Sequence, residues 1–216
     1  MSDLPEALEP EAETVSTSEV VSAPVARKRP KPGERRVQIL QTLAEMLEQP
    51  GAERITTAAL AARLSVSEAA LYRHFASKAQ MFEGLIEFIE SSVFTLLNQV
   101  AEREQAGQAQ RMVQVLLQFG ERNPGMTRVM VGDALVFEHE RLGLRMNQFF
   151  DRVESLLRQS LRLSAEAAGS ATPTVEANGQ ASALTCFAIG RLQRFARSGF
   201  RRLPTEQLDI ALRALG

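Results

Sequence analysis

The sequence predicts an all-α protein of about nine helices, with a three-helix head at the N-terminal side and a larger helical body after it. Apolar residues recur at three- and four-residue steps along most of the chain, and no convincing strand alternation is present. Proline, glycine and helix-capping residues separate these periodic stretches from one another. With 216 residues, 44% of them hydrophobic, the chain can bury a sizeable core.

The head begins with a helix over residues 34–47, whose apolar positions share one face and which ends before Pro50-Gly51. Thr57 is then expected to cap a short helix over residues 57–64. Ser67 is expected to cap a second short helix that runs to about Arg73. Two short helices separated by a tight turn are the layout of a helix-turn-helix.

The packing pattern of residues 54–75 supports that layout. Ala61 falls where the two helices cross closely, and Leu60, Leu64, Val66 and Leu71 supply the apolar contacts. Ser65 occupies the turn position where the backbone tends toward positive φ and glycine is favoured. A non-glycine residue in that conformation costs roughly 1–2 kcal/mol. From spacing alone, an ordinary helical hairpin remains the alternative.

The second helix of this motif leaves a set of side chains on its outer edge. A B-DNA major groove, about 12 Å wide, accepts such a helix, and its first turn then reaches the base edges. The exposed set is Val66, Ser67, Glu68, Ala69 and Arg73.

The segment that follows, Leu71-Tyr-Arg-His-Phe-Ala-Ser-Lys78, closely resembles the signature of the TetR family of regulators. The resemblance implies a TetR-like fold in which Thr57, Tyr72, His74 and Lys78 anchor phosphates while Ser67, Glu68 and Ala69 face the bases. Hydroxyl, imidazole and ammonium groups can all donate to phosphate oxygens. The predicted DNA contacts are Arg54, Thr56, Thr57, Val66, Ser67, Glu68, Ala69, Tyr72, Arg73, His74 and Lys78.

Charge is distributed unevenly before this motif. Residues 1–26 carry six acids and no base, so the net charge of −1 conceals +5 over residues 27–216. Residues 27–36 carry six bases, which suits phosphate contact. The composition predicts that residues 1–33 form a disordered arm, first acidic and then basic. A further hypothesis is that the acidic part competes with DNA for the basic part.

The body is predicted to start at residue 81, giving a head of residues 34–80 and a body of residues 81–216. Ser77 and Gln80 have the spacing of a capping box and open a long helix. Breaks are expected at Gly107 and at Asn123-Pro-Gly125. The long helix opened by Ser77 is expected to run to about Glu104. The sequence also predicts a helix over residues 133–163, a flexible loop over 164–180, and helices over 181–199 and 205–215.

Stretches outside the DNA-binding motif resemble a narrower group, the nucleoid occlusion factors. They are Leu85-Ile-Glu-Phe-Ile-Glu90 and Phe119-Gly-Glu-Arg-Asn-Pro-Gly125, beside Arg54-Ile-Thr-Thr57 and Ser67–Phe75 in the head. In that group the DNA-bound dimer engages the division GTPase FtsZ and antagonises its polymers over the chromosome. The resemblance therefore implies two partners, palindromic double-stranded DNA and FtsZ.

The resemblance places the FtsZ-contacting region on the helices around residues 81–100 and 108–122. Phe88 falls about 120° from the centre of an apolar stripe that includes Leu96, and Val115 lies opposite the inner face of the second helix. Aromatic, apolar and arginine side chains are typical interface anchors. The candidates are Phe88, Val115, Arg122 and Asn123. The alternative is that Phe88 and Val115 pack inside the subunit, and Leu96 stands where an arginine would better suit an acidic partner.

The last two helices are predicted to form a homodimer. They carry apolar stripes, and TetR-like proteins bury these helices in a two-fold interface, which implies half-sites about one helical turn apart. The stripes are Leu184, Phe187, Ala188, Leu192, Phe195 and Ala196, followed by Leu208, Ala211 and Leu212. A ligand-responsive TetR-type repressor is the alternative function, and it requires an internal pocket in the body.

The sequence gives little support to a disulfide-rich, membrane-spanning, secreted or metal-binding protein. The single cysteine, Cys186, excludes an internal disulfide framework and fits a reducing compartment. No apolar run is long enough for a membrane span or a signal peptide. His139-Glu140 lacks a second histidine at zinc-site spacing, since Gly143 stands there, and residues 138–140 are expected on a solvated helix face. We therefore expect a cytoplasmic protein that is not an enzyme and needs no cofactor or metal, and the resemblance implies that it associates with the nucleoid.

Overall fold

Helices joined by short turns account for the part of the chain that the computed structural model describes, residues 33–49, 54–103 and 107–215. Over these residues the predicted all-α architecture is confirmed, and none of them lies in a strand. The elements are α1 (Glu34–Leu47), α2 (Thr57–Arg63), α3 (Glu68–Tyr72), α4 (Lys78–Arg103), α5 (Gln108–Arg122), α6 (Pro124–Met130), a 3₁₀ turn (Asp133–Leu135), α7 (Glu140–Ala167), α8 (Pro173–Arg197) and α9 (Leu208–Leu215).

Helices α1, α2 and α3 pack around one apolar cluster to form the head. Ile39, Leu43 and Leu47 on α1 belong to the same buried cluster as Leu71 and Phe75, and all five side chains are essentially inaccessible to solvent. The head continues directly into α4, which runs for 26 residues through the predicted head–body boundary at residue 80. The boundary itself stays a prediction, as do the arm residues 1–32, which lie outside the described residues.

The body is a helical bundle in which α7 and α8 run antiparallel and pack along their lengths against each other. Phe94 of α4 and Phe149 of α7 meet edge to face, with ring centroids 5.5 Å apart. Helices α5 and α8 cross at Gly120, where an added Cβ would lie 2.4 Å from Leu192 Cδ2. A larger residue at position 120 therefore requires the buried Leu192 side chain to move.

Helix α6 of the body packs directly against α1 of the head. An added Cβ on Gly125 would lie 1.9 Å from the carbonyl oxygen of Ala44, so only glycine permits this approach of α6 to α1. Arg128, nearly buried, donates from Nε to Asp133 at 2.8 Å and from Nη1 to the Leu47 carbonyl oxygen at 3.4 Å. The second bond satisfies a carbonyl at the end of α1 that has no helical partner.

Two further ion pairs hold the start of α7 along α4. Arg141 contacts Glu83 at 2.8 Å, and Arg145 makes a two-pronged contact to both Glu90 oxygens at 3.1 and 2.6 Å. Hydrogen bonding to Glu90 raises the pKa of the Arg145 guanidinium despite its partial burial. Bidentate arginine–carboxylate pairs fix relative orientation as well as distance, so they set how α7 lies on α4.

Several predicted helix ends are wrong. Thr56, not Thr57, caps α2, accepting from Ala59 N at 3.1 Å. Helix α7 begins at Glu140 rather than at residue 133, because a 3₁₀ turn follows Gly132 and His139 Nδ1 caps the helix by accepting from Arg141 N. Helix α9 begins at Leu208 rather than at residue 205.

The flexible loop predicted over residues 164–180 is also wrong. Helix α7 continues to Ala167 and α8 begins at Pro173, so only residues 168–172 separate them. Proline suits the first turn of a helix, and the Glu176 carboxylate accepts from the hydroxyls of Ser170 and Thr172, which fixes that turn.

Most of the side chains assigned to the dimer interface pack inside the chain, while Phe187 and Ala211 are half-buried. Leu184, Ala188, Leu192 and Phe195 are no more than 1% exposed, and Leu208 and Leu212 of α9 are also buried. Periodicity identified the buried face correctly, but the partner of that face is the rest of the bundle. A dimer built on α8 and α9 must therefore use their other face.

None of the described helices combines the length and apolar character that crossing a membrane requires. The described residues also contain no cluster of histidine, cysteine, aspartate and glutamate side chains arranged to hold a metal ion.

Candidate nucleic-acid interface

The turn between α2 and α3 has the geometry that the motif requires. Ser65 adopts φ 54°, and Val66 N donates to Ala61 O at 3.0 Å across the turn. Ser67 caps α3 as predicted, since its hydroxyl accepts from Ala70 N at 3.3 Å. A non-glycine residue in this conformation is strained by roughly 1–2 kcal/mol, and the packing around the turn offsets that cost.

Buried apolar residues pack α2 and α3 against each other. Leu60, Ala61, Leu64 and Leu71 are buried, and Val66 is half-buried against the same cluster, as the sequence predicted. The opposite edge of α3 is open to solvent at Ser67, Glu68, Ala69, Tyr72 and Arg73. The helix-turn-helix therefore leaves one edge of α3 open to solvent, and the exposed residues there are among those predicted to contact DNA.

Three of the predicted DNA contacts already interact with one another. Thr57 Oγ1 donates to Glu68 Oε2 at 2.5 Å, and Tyr72 Oη lies 3.5 Å from the same threonine oxygen. This small network joins the start of α2 to α3 at the exposed edge. Glu68 is thus held by a neighbour, while Arg54, Thr56 and His74 are exposed on the same head.

Arg36 has a structural role that the sequence did not reveal. Its Nη1 donates to the His74 carbonyl oxygen at 2.9 Å, and its guanidinium lies 4.1 Å from the centre of the Phe75 ring. The sequence predicted Arg36 only as one charge of the basic arm. Its contacts instead tie α1 to the end of the helix-turn-helix, next to the predicted phosphate anchors.

Lys78, another predicted phosphate anchor, is paired with a residue of the body. Its ammonium group contacts the Glu138 carboxylate, whose side chain is only 9% exposed. The expectation that residues 138–140 form a solvated helix face is therefore wrong for Glu138, which precedes α7 and faces the head. No local sequence pattern could reveal this pair, since 60 residues separate its members.

The four residues predicted to bind FtsZ differ in exposure. Phe88 is 48% exposed and Arg122 is exposed, as expected. Val115 is half-buried and packs against the core, so the expectation of an exposed side chain there is wrong. Asn123 is half-buried and its Nδ2 donates to Phe119 O at 2.8 Å. Leu96, predicted on the inner stripe of α4, is 37% exposed.

Two protein-family models match the chain. The model of the bacterial regulatory proteins of the tetR family matches residues 39–85, which contain the helix-turn-helix. The model named SlmA-like C-terminal, described as a tetracyclin repressor-like C-terminal domain, matches residues 104–215.

Curated relatives match over most of their length. The nucleoid occlusion factor SlmA of Vibrio cholerae is 52% identical over 178 residues, covering 81% of this chain and 90% of the relative. The SlmA of Idiomarina loihiensis is 52% identical over 177 residues, covering 81% and 90%. The SlmA of Cronobacter sakazakii is 50% identical over 188 residues, covering 86% and 94%.

Solved structures share the fold at low identity. The fatty acid degradation regulator FadR from Bacillus halodurans superposes with a TM-score of 0.69 at 11% identity, covering 88% of this chain and 96% of that one. FadR from Bacillus subtilis, in complex with stearoyl-CoA, gives 0.67 at 10% identity, covering 83% and 96%. The relatives are thus named nucleoid occlusion factors, and the N-terminal family model is that of bacterial regulatory proteins. On this combined evidence, the chain belongs to the SlmA nucleoid occlusion factors, within the tetR family of bacterial regulatory proteins.

Proposed function

We propose that this protein binds palindromic DNA sites on the chromosome as a dimer and, when bound there, engages FtsZ and antagonises its polymers. Division over the nucleoid would thereby be prevented, and the protein would reside in the cytoplasm in association with the nucleoid. The observation that carries the proposal is the identity of about half with relatives named nucleoid occlusion factor SlmA, over nearly their full length.

The exposed edge of α3 supports DNA binding as the first step. Ser67 and Ala69 are small and exposed at the first turn of the helix, where side chains meet base edges in a groove. Tyr72, Arg73 and His74 follow at its end and can donate to phosphates of the adjoining backbone. Arg54 and Thr56 lie at the start of α2 and can contact a phosphate on the other side of the motif.

The proposed dimer uses the outer face of α8. This face carries Gly179, Ala183 and Cys186, all exposed, and a Cβ added at Gly179 or Gly190 would meet nothing within 4 Å. Small residues let two helices approach closely, and Ile210 on α9, 63% exposed, can extend the contact. Replacing Ala183 with glutamate should convert the dimer to a monomer in light scattering, whereas Ser155→Glu on α7 should not.

The proposed FtsZ contact uses Phe88, Val115, Arg122 and Asn123. Phe88 offers an exposed ring and Arg122 an exposed guanidinium, while half-buried Val115 can add apolar area at the edge of α5. Interfaces of this composition concentrate their binding energy in a few aromatic and arginine anchors. None of these four residues lies on α3, because they belong to α4, to α5 and to the position directly after α5, so the two activities should be separable by mutation.

Arg122→Asp tests this separation, with Arg103→Asp as a matched charge reversal at the end of α4. Each variant is mixed with FtsZ, GTP and a duplex selected by the protein, and polymer is measured by sedimentation. Arg122→Asp should lose the effect on polymer while retaining wild-type duplex affinity, and Arg103→Asp should retain both. Parallel loss of both activities in Arg122→Asp contradicts separate surfaces.

The alternative, a ligand-responsive repressor, predicts a different distribution of binding sites. Mapping the sites genome-wide distinguishes the two functions, because nucleoid occlusion requires scattered sites that avoid the replication terminus. One or two promoter sites, together with a small molecule that lowers duplex affinity, would favour the repressor instead.

A further inference from the structure

One acid lies on the exposed edge of α3 that meets DNA in the proposed complex. Glu68 is the first residue of α3, and its side chain is exposed. Among the described residues, no ion pair involves this carboxylate. Because a carboxylate repels phosphates, Glu68 weakens the binding of every duplex unless the DNA offers it a hydrogen-bond donor.

A hydrogen bond from α2 holds the Glu68 carboxylate in place. Thr57 Oγ1 donates to Glu68 Oε2 at 2.5 Å, and Tyr72 Oη donates to Thr57 Oγ1 at 3.5 Å. Thr57 is half-buried, whereas Glu68 and Tyr72 are exposed. This chain of hydrogen bonds fixes one carboxylate oxygen of Glu68 and leaves the other, Oε1, without a donor among the described residues.

The direction of the first bond bears on the role of Thr57. An ionised carboxylate only accepts hydrogen bonds, so the threonine hydroxyl must be the donor. A hydroxyl has a single proton, and Thr57 therefore has none left to donate to a phosphate while it holds Glu68. The arrangement suits a residue that orients Glu68 better than it suits a phosphate anchor.

Few groups in a major groove can donate to a carboxylate. Only the exocyclic amines do so, N4 of cytosine and N6 of adenine. The adenine amine lies beside N7 of the same base, an acceptor that repels a carboxylate, whereas cytosine carries no acceptor on its groove edge. The free oxygen of Glu68 is therefore matched best by the N4 amine of cytosine.

From these contacts we infer that Glu68 is a specificity-determining residue, which accepts a hydrogen bond from the N4 amine of one cytosine in each half-site. Thr57 is the positioning residue for Glu68. The inference rests on the proposed function for the binding of duplex DNA by α3, and it adds the base pair that one position of the site must carry. Because the bond to Thr57 orders the carboxylate before DNA arrives, less side-chain freedom is lost on binding.

The first experiment uses the full chain and duplexes that differ at one symmetric position. The wild-type protein selects its site from random duplexes, and fluorescence anisotropy then gives the affinity for each of the four base pairs at every position of the half-site. One position should favour a C·G pair over A·T and T·A pairs by about tenfold.

Two substitutions of Glu68 test which side chain sets that preference. Glu68→Ala should bring the four base pairs at this position within about threefold of one another, and preferences at the other positions should stay as in the wild type. Glu68→Gln should move the preference at the same position toward adenine, because an amide can pair with both N6 and N7 of that base.

The second experiment separates positioning by Thr57 from contact with a phosphate. Thr57→Val removes the hydroxyl and should reduce the preference at the Glu68-dependent position by about threefold, with preferences elsewhere unchanged. Thr57→Ser retains a hydroxyl and should restore the preference. Loss of a phosphate contact would instead weaken the binding of all duplexes by the same factor.

Glu45→Gln is the control for the loss of a negative charge. Glu45 is exposed on α1, outside the helix-turn-helix. Its replacement should change the affinity for all duplexes by one common factor, within about twofold, and should alter no base preference. Thermal unfolding checks that each variant keeps the wild-type fold, since an acid in the first turn also stabilises α3.

The outcomes distinguish the inference from the proposed function. Wild-type preferences at every position in Glu68→Ala overturn base recognition by Glu68, and a Glu68-dependent preference for an A·T pair overturns the assignment to cytosine. Uniform weakening by Thr57→Val overturns its positioning role. If the protein selects a palindrome whose preferences are independent of Glu68, DNA binding stands and the inference fails. If it binds no duplex in a salt-sensitive way, the proposed function fails and the inference falls with it.

Discussion

Lys78 and Glu138 form an ion pair between the first residue of α4 and the turn that precedes α7. The carboxylate is nearly buried, while the lysine side chain keeps 26% of its exposure. A buried carboxylate that loses its partner is costly, so the pair holds the ammonium group toward the body. A lysine that contacts a DNA phosphate from this position has to leave Glu138 or share its hydrogen bonds.

Glu138→Gln should therefore increase duplex affinity by about two- to fivefold, because Lys78 no longer has a charged competitor for the phosphate. Fluorescence anisotropy over a series of salt concentrations measures both the affinity and its salt slope, which should become steeper. Glu140→Gln is the matched control, since it removes an exposed acid two residues away. Equal gains in both variants would indicate a general charge effect instead.

Ser65→Gly should stabilise the head by about 0.5–1 kcal/mol. The replacement relieves the strain of φ 54°, although part of the gain is lost because glycine increases the entropy of the unfolded chain. Urea unfolding followed by circular dichroism measures the difference. The same exchange at Ser155, an exposed position inside α7, should instead destabilise by about 0.5–1 kcal/mol. A loss at both positions would show that the turn is not strained.

Thr56→Ala should cost about 1 kcal/mol of stability, because the hydroxyl that caps α2 is lost. Thr57→Val at the neighbouring position removes the exposed contacts to Glu68 and Tyr72 and should cost less. Thermal unfolding without DNA ranks the two variants, and this comparison excludes any effect on phosphate contacts. A larger loss for Thr57→Val would restore the cap position that the sequence predicted.

The helices could be predicted because their signals are local. Ser67 caps α3 through a contact three residues away, and the Ser77 hydroxyl likewise accepts from Gln80 N at 3.2 Å at the start of α4. Capping and the 3.6-residue period depend on near neighbours in the chain, which the sequence displays directly. Thr56 and Thr57 share the same capping chemistry, so the sequence alone could not decide between them.

The errors arise from contacts between distant residues. Glu138 looks like a surface acid until Lys78 is placed beside it, and the α8 stripe around Leu184 has the same period whether it packs inside the subunit or against a second copy. Gly179 and Pro173 suggested a loop, but a proline in the first turn is compatible with a helix. Sequence patterns thus located most of the buried faces without identifying what covers them.

Gly125 is the position where the junction between head and body should be most sensitive to substitution. Gly125→Ala places a methyl group 1.9 Å from the Ala44 carbonyl oxygen, and that atom belongs to the backbone of α1 and cannot rotate away. Helix α6 must then move off α1, which also weakens the Arg128 contact to the Leu47 carbonyl oxygen. We expect a loss of about 2–4 kcal/mol in the free energy of unfolding.

Gly143→Ala is the matched control for Gly125→Ala. It lies inside α7, where an added Cβ meets nothing within 4 Å, so it should stabilise the protein by about 0.5–1 kcal/mol through helix propensity. Urea unfolding of both variants measures the two changes in the free energy of unfolding, which should have opposite signs. If Gly125→Ala unfolds within about 1 kcal/mol of the wild type, α6 can separate from α1 at little cost, and the close approach at Ala44 does not hold the head on the body.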